Sequence, residues 1–290
     1  MKKLFLLLSI LMPMACLSAG KHASEVAKLR WGTFNIRLQT PVDDKEGLGW
    51  DVRRDRVAKY IKKKHLDVVG LQEVLHVQLE DLLTRLPEYD YVGVGRTDGK
   101  TKGEYSPVFF RKDKFEVLEK GNFWLSETPD VAGSIGWDAA LERIASYAKL
   151  KDKRTGKVFM AVNTHFDHVG VKARRESAKL IMKKIQEIVG DRPAVVTGDF
   201  NVTEDDEAYV TMTTNAFHMN DAYHITAKHT GANYTWHQFC KLPLEKREKI
   251  DFIFLTPTIQ VKRTHIEEPN TEALLSDHNP HWADLEFSKR

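Results

Sequence analysis

Between residues 29 and 287 the apolar positions follow two rhythms, one of period two and one near 3.6, and each predicts a different element. The opening segment LRWGTFNI (29–36) alternates closely enough to be a strand. WDVRRDRVAKYIKKKH (50–65) has helical spacing, with Val52, Val57, Tyr60 and Ile61 on one side and basic residues on the other. LDVVGLQEV (66–74) reads as a buried strand running into a loop, and VQLEDLLTRL (77–86) as a second amphipathic helix. YSPVFFRK (105–112), KFEVLEKGNFWL (114–125) and RIASYAKL (143–150) follow as strands with Gly-rich or Asp-rich turns between them. The theme then repeats: strand KVFMAVNTHF (157–166), helix RRESAKLIMKKIQEIV (174–189), then strands RPAVVTGDFN (192–201), KIDFIFL (249–255) and HWADLEF (281–287). Two strand-rich halves that each carry helices predict an α/β fold, a four-layer α/β/β/α sandwich with two sheets face to face and helices outside. No linker, repeat or low-complexity run divides 29–287, so one domain is expected there.

Residues 1–19 break the pattern. Lys2 and Lys3 lead into the apolar run LFLLLSILMPMA, too short to span a bilayer and suited to a secretory signal cleaved near Ser18 and Ala19. Cys16, preceded by Ala15, offers the alternative of a lipidated cysteine, which would be the only membrane attachment, although Pro13 fits such a box poorly. The expected location is therefore outside the cytoplasm: periplasm or cell surface, or secreted. Without Lys2 and Lys3 the chain keeps 42 Lys and Arg against 41 Asp and Glu. That balance excludes a strong basic field for gripping long nucleic acid and leaves short ends as the nucleic-acid option. Cys240 has no partner but Cys16, so no structural disulfide is expected and Cys240 reads as a small buried hydrophobe.

The chemistry lies where the apolar runs stop. TFNI ends on Asn35, VVGLQEV presents Glu73, FMAVNTHF presents Asn163 and His165, AVVTGDFN presents Asp199 and Asn201, KIDFIF carries Asp251, and SDHNP adds Asp277 and His278. Each has an ordinary reading alone: Asn35 as a turn former, Glu73 as a helix N-terminal acid, His165 as a satisfied core histidine. Asp199 and Asn201, two apart, would point the same way from an extended backbone. Asp199 and Asp251 adjoin apolar runs, and a buried carboxylate needs a cation or imidazole nearby. One shared site explains these residues better than independent accidents. Carboxylates and amides without thiolates favour a hard cation, Mg²⁺ or Mn²⁺, and no HExxH or Cys/His spacing supports zinc. Imidazoles paired to carboxylates beside such an ion become cations or donors for a phosphoryl oxygen, which points to phosphate-ester hydrolysis.

In order, FNIR, LQEV, NTHFDH, TGDFN, IDFIF and SDHNP resemble the endonuclease/exonuclease/phosphatase superfamily, with its DNase I-like fold, over about residues 29–287. GRTDG…GE, NFWLSETP and the WD…R segment resemble exported bacterial members and the deadenylase-like exonuclease branch. The resemblance implies Glu73 as principal metal ligand, with Asn35 and Asp277 completing the shell directly or through water. It implies that Asp199 orients or deprotonates the attacking water, that Asn201 holds the phosphate, and that Asp251 pairs with His278, which faces the phosphate while Asp277 faces the metal. His165 would be the second phosphate donor. Arg143 stands where relatives often place a phosphate-binding cation, with a surface strand arginine as the alternative.

The expected activity is hydrolysis of a phosphodiester or phosphomonoester by metal-assisted attack of water, exonuclease-like on short RNA or DNA ends or nucleotides. The alternatives are a phosphatase or phospholipase C-type hydrolase on inositol, sugar or lipid phosphates, and an inactive binding module. A monomer is expected. GVGRTDGKTKGE (93–104) reads as a mobile loop; its Gly99-Lys100-Thr101 mimics a P-loop, but Val94 occupies the place of the first glycine, so triphosphate binding is rejected. Trp124, Trp137, Trp236, His237 and His168 fall in candidate rim loops, where an exposed ring could stack on a base or sugar.

Overall fold

The computed structural model describes residues 26–288; the leader with Cys16 lies outside these. The strands are β1 (Ala27–Asn35), β2 (Val68–Gln72), β3 (Tyr89–Val92), β4 (Val108–Arg111), β5 (Phe115–Trp124), β6 (Ile144–Asp152), β7 (Val158–His165), β8 (Ala194–Asp199), β9 (Asn220–Asp221), β10 (His229–Gly231), β11 (Asp251–Leu255), β12 (Ile259–Ile266) and β13 (His281–Phe287). The α-helices are α1 (Pro41–Lys45), α2 (Trp50–Lys63), α3 (His76–Arg85), α4 (Val171–Val189) and α5 (Glu207–Thr214). They form a seven-stranded sheet in the order β10-β12-β13-β1-β2-β4-β3 and a six-stranded sheet in the order β5-β6-β7-β8-β11-β9.

Alternation along each strand sorts the side chains between layers. Trp31, Val68, Phe110, Phe159, Val195, Ile253 and Phe287 meet between the sheets. The neighbouring Phe34, Val69 and Leu71 face outward onto α2 and α3, while Met160, Val162, Val196 and Phe254 face α4 and α5. The result is the expected four-layer sandwich. One helix-face expectation fails: Val57, Tyr60 and Ile61 are buried, but Val52 is 47 % exposed. Trp50, at the first position of α2, takes the buried place that Val52 was assigned. Short elements escape the hydrophobic rhythm, among them α1, β9, β10 and α5, whose start is capped by the Asp206 carboxylate accepting from Ala208 N–H at 2.8 Å. Residues 93–104 fold back in a hydrogen-bonded turn, with Gly95 N–H to Lys100 O at 3.0 Å, Thr97 N–H to Lys102 O at 3.0 Å and Arg96 N–H to Glu104 O at 3.0 Å.

Towards one end of the sandwich the layer between the sheets turns from apolar to polar. In β1 the inward series is Trp31, Thr33, Asn35; in β2 it is Val68, Gly70, Gln72; in β7 it is Phe159, Ala161, Asn163, His165. Asn163, read as a strand-end polar group, is instead a fully buried tie between the sheets. Its Nδ2 donates to Leu71 O (2.7 Å) and Pro107 O (3.1 Å), and its Oδ1 accepts from Gln72 Nε2 (2.6 Å) and Thr197 Oγ1 (3.0 Å). Gly70 leaves the room for this tie, since a Cβ there would lie 2.2 Å from both Asn163 Oδ1 and Thr197 Oγ1. Those atoms are locked by their own bonds and cannot retreat. Gly70→Ala is expected to lower unfolding free energy by about 3 kcal/mol, read as a fall in the urea midpoint; a change under about 0.5 kcal/mol would show that the tie yields easily.

Candidate active site

Strand register brings the polar ends together. His165 of β7 lies beside Asp199 of β8, and Asp199 lies beside Asp251 of β11, so the three occupy one rung across neighbouring strands. Asn35 of β1 faces this rung from the other sheet and donates through Nδ2 to Asp199 Oδ2 (2.9 Å) and to Glu73 Oε1 (3.0 Å). Glu73 Oε2 accepts from Leu38 N–H at 3.0 Å. Asp277 and His278 sit in a loop before β13, where Trp236 and His278 form an isolated bridge. Ser276 Oγ fixes that loop by donating to Asn35 O at 2.7 Å and lies 3.2 Å from Asp277 Oδ1. Adjacent side chains can then serve one site because the backbone there is not a strand.

His278 Nδ1 is 2.8 Å from Asp251 Oδ2, and its Nε2 is 3.7 Å from Asp199 Oδ2. Burial alone would depress this imidazole, but the Asp251, Asp199 and Asp277 carboxylates overcome it and push the pKa up to about 10. His278 is therefore an imidazolium at neutral pH. His165, expected as the second phosphate donor, is not clasped by a carboxylate in this way. It stands 3.6 Å from Asp199 Oδ2 and 3.7 Å from Glu104 Oε2, too far for hydrogen bonds, and burial together with Arg143 pushes it down to about 3. It is a neutral imidazole whose Nδ1 has no partner. Asp199 is pushed upward by burial and by Asp251, which makes it a stronger base than an ordinary carboxylate.

Asn201 is not aligned with Asp199 by an extended backbone as spacing suggested. β8 ends at Asp199, Asn201 adopts φ 51°, and its N–H bonds back to Asp199 Oδ1 at 3.0 Å. Its Nδ2 donates to Phe166 O at 3.0 Å, leaving the second amide hydrogen for a ligand. Glu73 and Arg37 are also left-handed, both at φ 59°. Such conformations cost energy for residues with a Cβ and mark places held by their surroundings.

The donor chemistry fits a hard divalent cation. Arg37 Nη1 lies 3.9 Å from Glu73 Oε2 and its Nε lies 4.0 Å from Asp277 Oδ2, so the two carboxylates face one cationic position. Asp199, Asp251 and His278 also cluster within metal-binding range, but both ring nitrogens of His278 already face carboxylates, which identifies that trio as an imidazolium clasp. Asn35 borders this position: its Nδ2 holds Glu73, and its Oδ1 accepts Arg37 N–H at 3.0 Å.

These groups open onto a cavity of about 420 Å³. Arg143 lines it and is buried rather than a surface strand residue, with Nε 3.3 Å from Asp167 Oδ2 and Nη2 3.0 Å from His168 Nδ1. Arg96 and Glu104, which the composition of their loop concealed, form a bidentate pair at 2.9 and 2.7 Å in the wall. The quoted motifs GRTDG…GE and FNIR contain these missed residues and Arg37. Of the rim candidates, Trp236 and His168 line the cavity, whereas Trp124 is buried with its indole N–H on Arg96 O, and His237 is buried. Trp137 is half-buried and outside the cavity. Cys240 is free and half-buried, its N–H bonded to His237 Nδ1 at 2.9 Å.

Two sheets that bring a carboxylate cluster, an imidazolium and a neutral imidazole to one rim define a hydrolase of phosphate esters. The sequence profile of the Endonuclease/Exonuclease/phosphatase family matches residues 32–278, and the chain belongs to that family. It is 60 % identical to the solved endonuclease/exonuclease/phosphatase from Bacteroides vulgatus, with a TM-score of 0.89 over 90 % of this chain and 100 % of that one. It is 39 % identical to a mannosyl-6-phosphatase from Bacteroides thetaiotaomicron, with a TM-score of 0.83 over 89 % of this chain and 99 % of that one. Among curated relatives, Drosophila melanogaster Nocturnin is 24 % identical over 213 residues, covering 67 % of this chain but only 32 % of Nocturnin.

Asp251→Asn removes the strongest partner of the His278 imidazolium. Its titration, followed by NMR of the ring, is expected to move down by at least about 2 pH units. In the wild type, the stability from this raised pKa is present below about 6.5, the unfolded value, and is lost as pH rises towards 10. An unmoved His278 titration in the variant would refute the clasp.

Proposed function

We propose that the protein is a divalent-metal-dependent phosphomonoesterase that releases phosphate from a phosphorylated sugar. The observation that carries this reading is the small cavity with a single aromatic ring in its lining. The Arg96–Glu104 pair, with Trp124 bonded to its backbone, stands against His165 and closes one side. About 420 Å³ is typical of a small-molecule site. Non-specific strand binding uses successive aromatic platforms along a basic groove, whereas Trp236 is the only Trp, Tyr or Phe lining this cavity among the described residues. The likeness to the B. thetaiotaomicron mannosyl-6-phosphatase across nearly the whole of both chains favours the same reading. The apolar leader at 1–19 favours action outside the cytoplasm.

Glu73 and Asp277, with Asn35 steadying Glu73, would hold the Mg²⁺ or Mn²⁺ ion, which supplies charge neutralisation to the phosphoryl oxygens when bound. Asp199, its basicity raised by burial and Asp251, accepts a proton from the attacking water as the new oxygen–phosphorus bond forms. His278, kept protonated by Asp251, donates to a phosphoryl oxygen, and the free amide hydrogen of Asn201 binds another. His165 contributes a neutral N–H beside Asp199. The ester oxygen–phosphorus bond breaks, and the leaving alkoxide takes a proton from solvent.

The test is a panel of mannose 6-phosphate, inositol phosphates, sphingomyelin and short RNA and DNA oligonucleotides, with and without EDTA. EDTA-sensitive phosphate release from the sugar ester is expected to exceed all other rates. Faster oligonucleotide cleavage would replace this reading with the exonuclease one. Glu73→Gln and His278→Ala are each expected to lower kcat by at least about 100-fold with an unchanged circular dichroism spectrum; wild-type rates in both would overturn the roles.

A further inference from the structure

One wall of the cavity carries machinery that the hydrolytic step does not use. In NTHFDH, His165 faces the rung of Asp199 and Asp251, while Asp167 and His168 continue past the strand end. Asp167 is 2 % exposed and satisfied from several sides. Its Oδ1 accepts Val169 N–H (2.9 Å) and Gly170 N–H (2.7 Å), and its Oδ2 accepts Leu141 N–H and Arg143 Nε–H, both at 3.3 Å. Arg143 then reaches His168 with Nη2, 3.0 Å from Nδ1. A guanidinium can only donate, so His168 Nδ1 must accept, and the proton of the neutral ring is confined to Nε2. His168 thereby becomes a fixed donor at the exposed mouth of the cavity. Arg143 is 4 % exposed, lines the same cavity, and keeps its Nη1 without any partner. A buried, unsatisfied donor is costly unless something else binds it.

The charge around these donors decides what they recognise. Arg143 is offset by Asp167 and Arg96 by Glu104, so neither brings an uncompensated positive charge. Glu248 also lines the cavity as an exposed residue, its backbone carbonyl holding Thr235 N–H and Trp236 N–H. A second phosphate would meet that carboxylate, and among the described residues each arginine lining the cavity is already paired with a carboxylate. A hydroxyl group both donates and accepts, and suits a lining that includes both N–H donors and a carboxylate acceptor.

We propose that Arg143 and His168 form a leaving-group subsite for a neutral, hydroxyl-rich group, with Asp167 as the residue that positions them. This reassigns Arg143 from the transferred phosphate to the part of the substrate that departs, and it rests on the phosphomonoesterase reading above. The subsite distinguishes a sugar phosphate from an ester of the same phosphate lacking hydroxyls.

The experiment measures KM and kcat for mannose 6-phosphate and for p-nitrophenyl phosphate in the wild type, His168→Ala, His168→Gln and Asp167→Asn. His168→Ala is expected to raise KM for the sugar ester about tenfold more than KM for the aryl ester, with kcat changing less than KM. His168→Gln, which retains an N–H near the Nε2 position, is expected to recover part of that difference, and Asp167→Asn to shift the ratio as His168→Ala does. Equal effects on both esters, or an effect on kcat alone, would overturn the subsite while leaving the phosphomonoesterase reading standing. Preference for fructose 1,6-bisphosphate over fructose 6-phosphate would overturn it in favour of a second anion site. Turnover of neither monoester would remove the phosphomonoesterase reading and the subsite together.

Discussion

The site depends on a buried polar tie between the two sheets. Gln72 of one sheet and Asn163 of the other meet at 2.6 Å, and Asn163 also holds Leu71 O, Pro107 O and the Thr197 hydroxyl. Two sheets packed only through apolar side chains can slide by small amounts at little cost, because apolar contact has no direction. A satisfied amide network in a water-poor layer is directional and tolerates little misplacement. Sited one step beneath His165, Asp199 and Asn35, it sets the spacing at which groups from opposite sheets can share a ligand.

Above the tie, side chains from other segments fix the backbone that carries the site. Arg53, buried in α2, donates to the carbonyls of Ile36, Arg37, Leu48 and Leu275, so it clamps the loop leaving β1 to the segment approaching Asp277. Burial lowers its pKa to about 10, and the guanidinium stays charged at neutral pH. Thr235 Oγ1 accepts Ile250 N–H and Asp251 N–H, both at 3.0 Å, fixing the start of the strand that carries the clasp. The left-handed backbone at Arg37, Glu73 and Asn201 is the cost of turning side chains back over the strand ends, and these ties oppose its relaxation.

The sequence made the fold legible because its strands are long, apolar and ended by polar residues, and because family motifs occur in order along the chain. It also placed Glu73, His165, Asp199, Asp251, Asp277 and His278 in one neighbourhood, which register and loops then supplied. What it concealed follows from physics that spacing does not encode. Val52 and Trp50 compete for one helix face, and the larger residue at the helix start is buried. His165 looks like His278 in sequence, yet only one has a carboxylate within hydrogen-bonding reach, and burial keeps the other neutral. Arg96 and Glu104 belong to a Gly-rich, charged stretch whose composition suggests a mobile loop. Their pairing across eight positions is a tertiary fact.

The two imidazoles make the division of labour within the site a consequence of neighbours rather than of residue type. His278, clasped by Asp251, carries a fixed positive charge where a phosphoryl oxygen would gain most from it. His165, beside Arg143 and away from any bonded carboxylate, stays neutral, which prevents a second imidazolium from neutralising Asp199. If both rings were protonated, Asp199 would face two cations and lose basicity. Burial is the main cause of that neutrality and Arg143 adds to it, from a place in the wall of the same cavity.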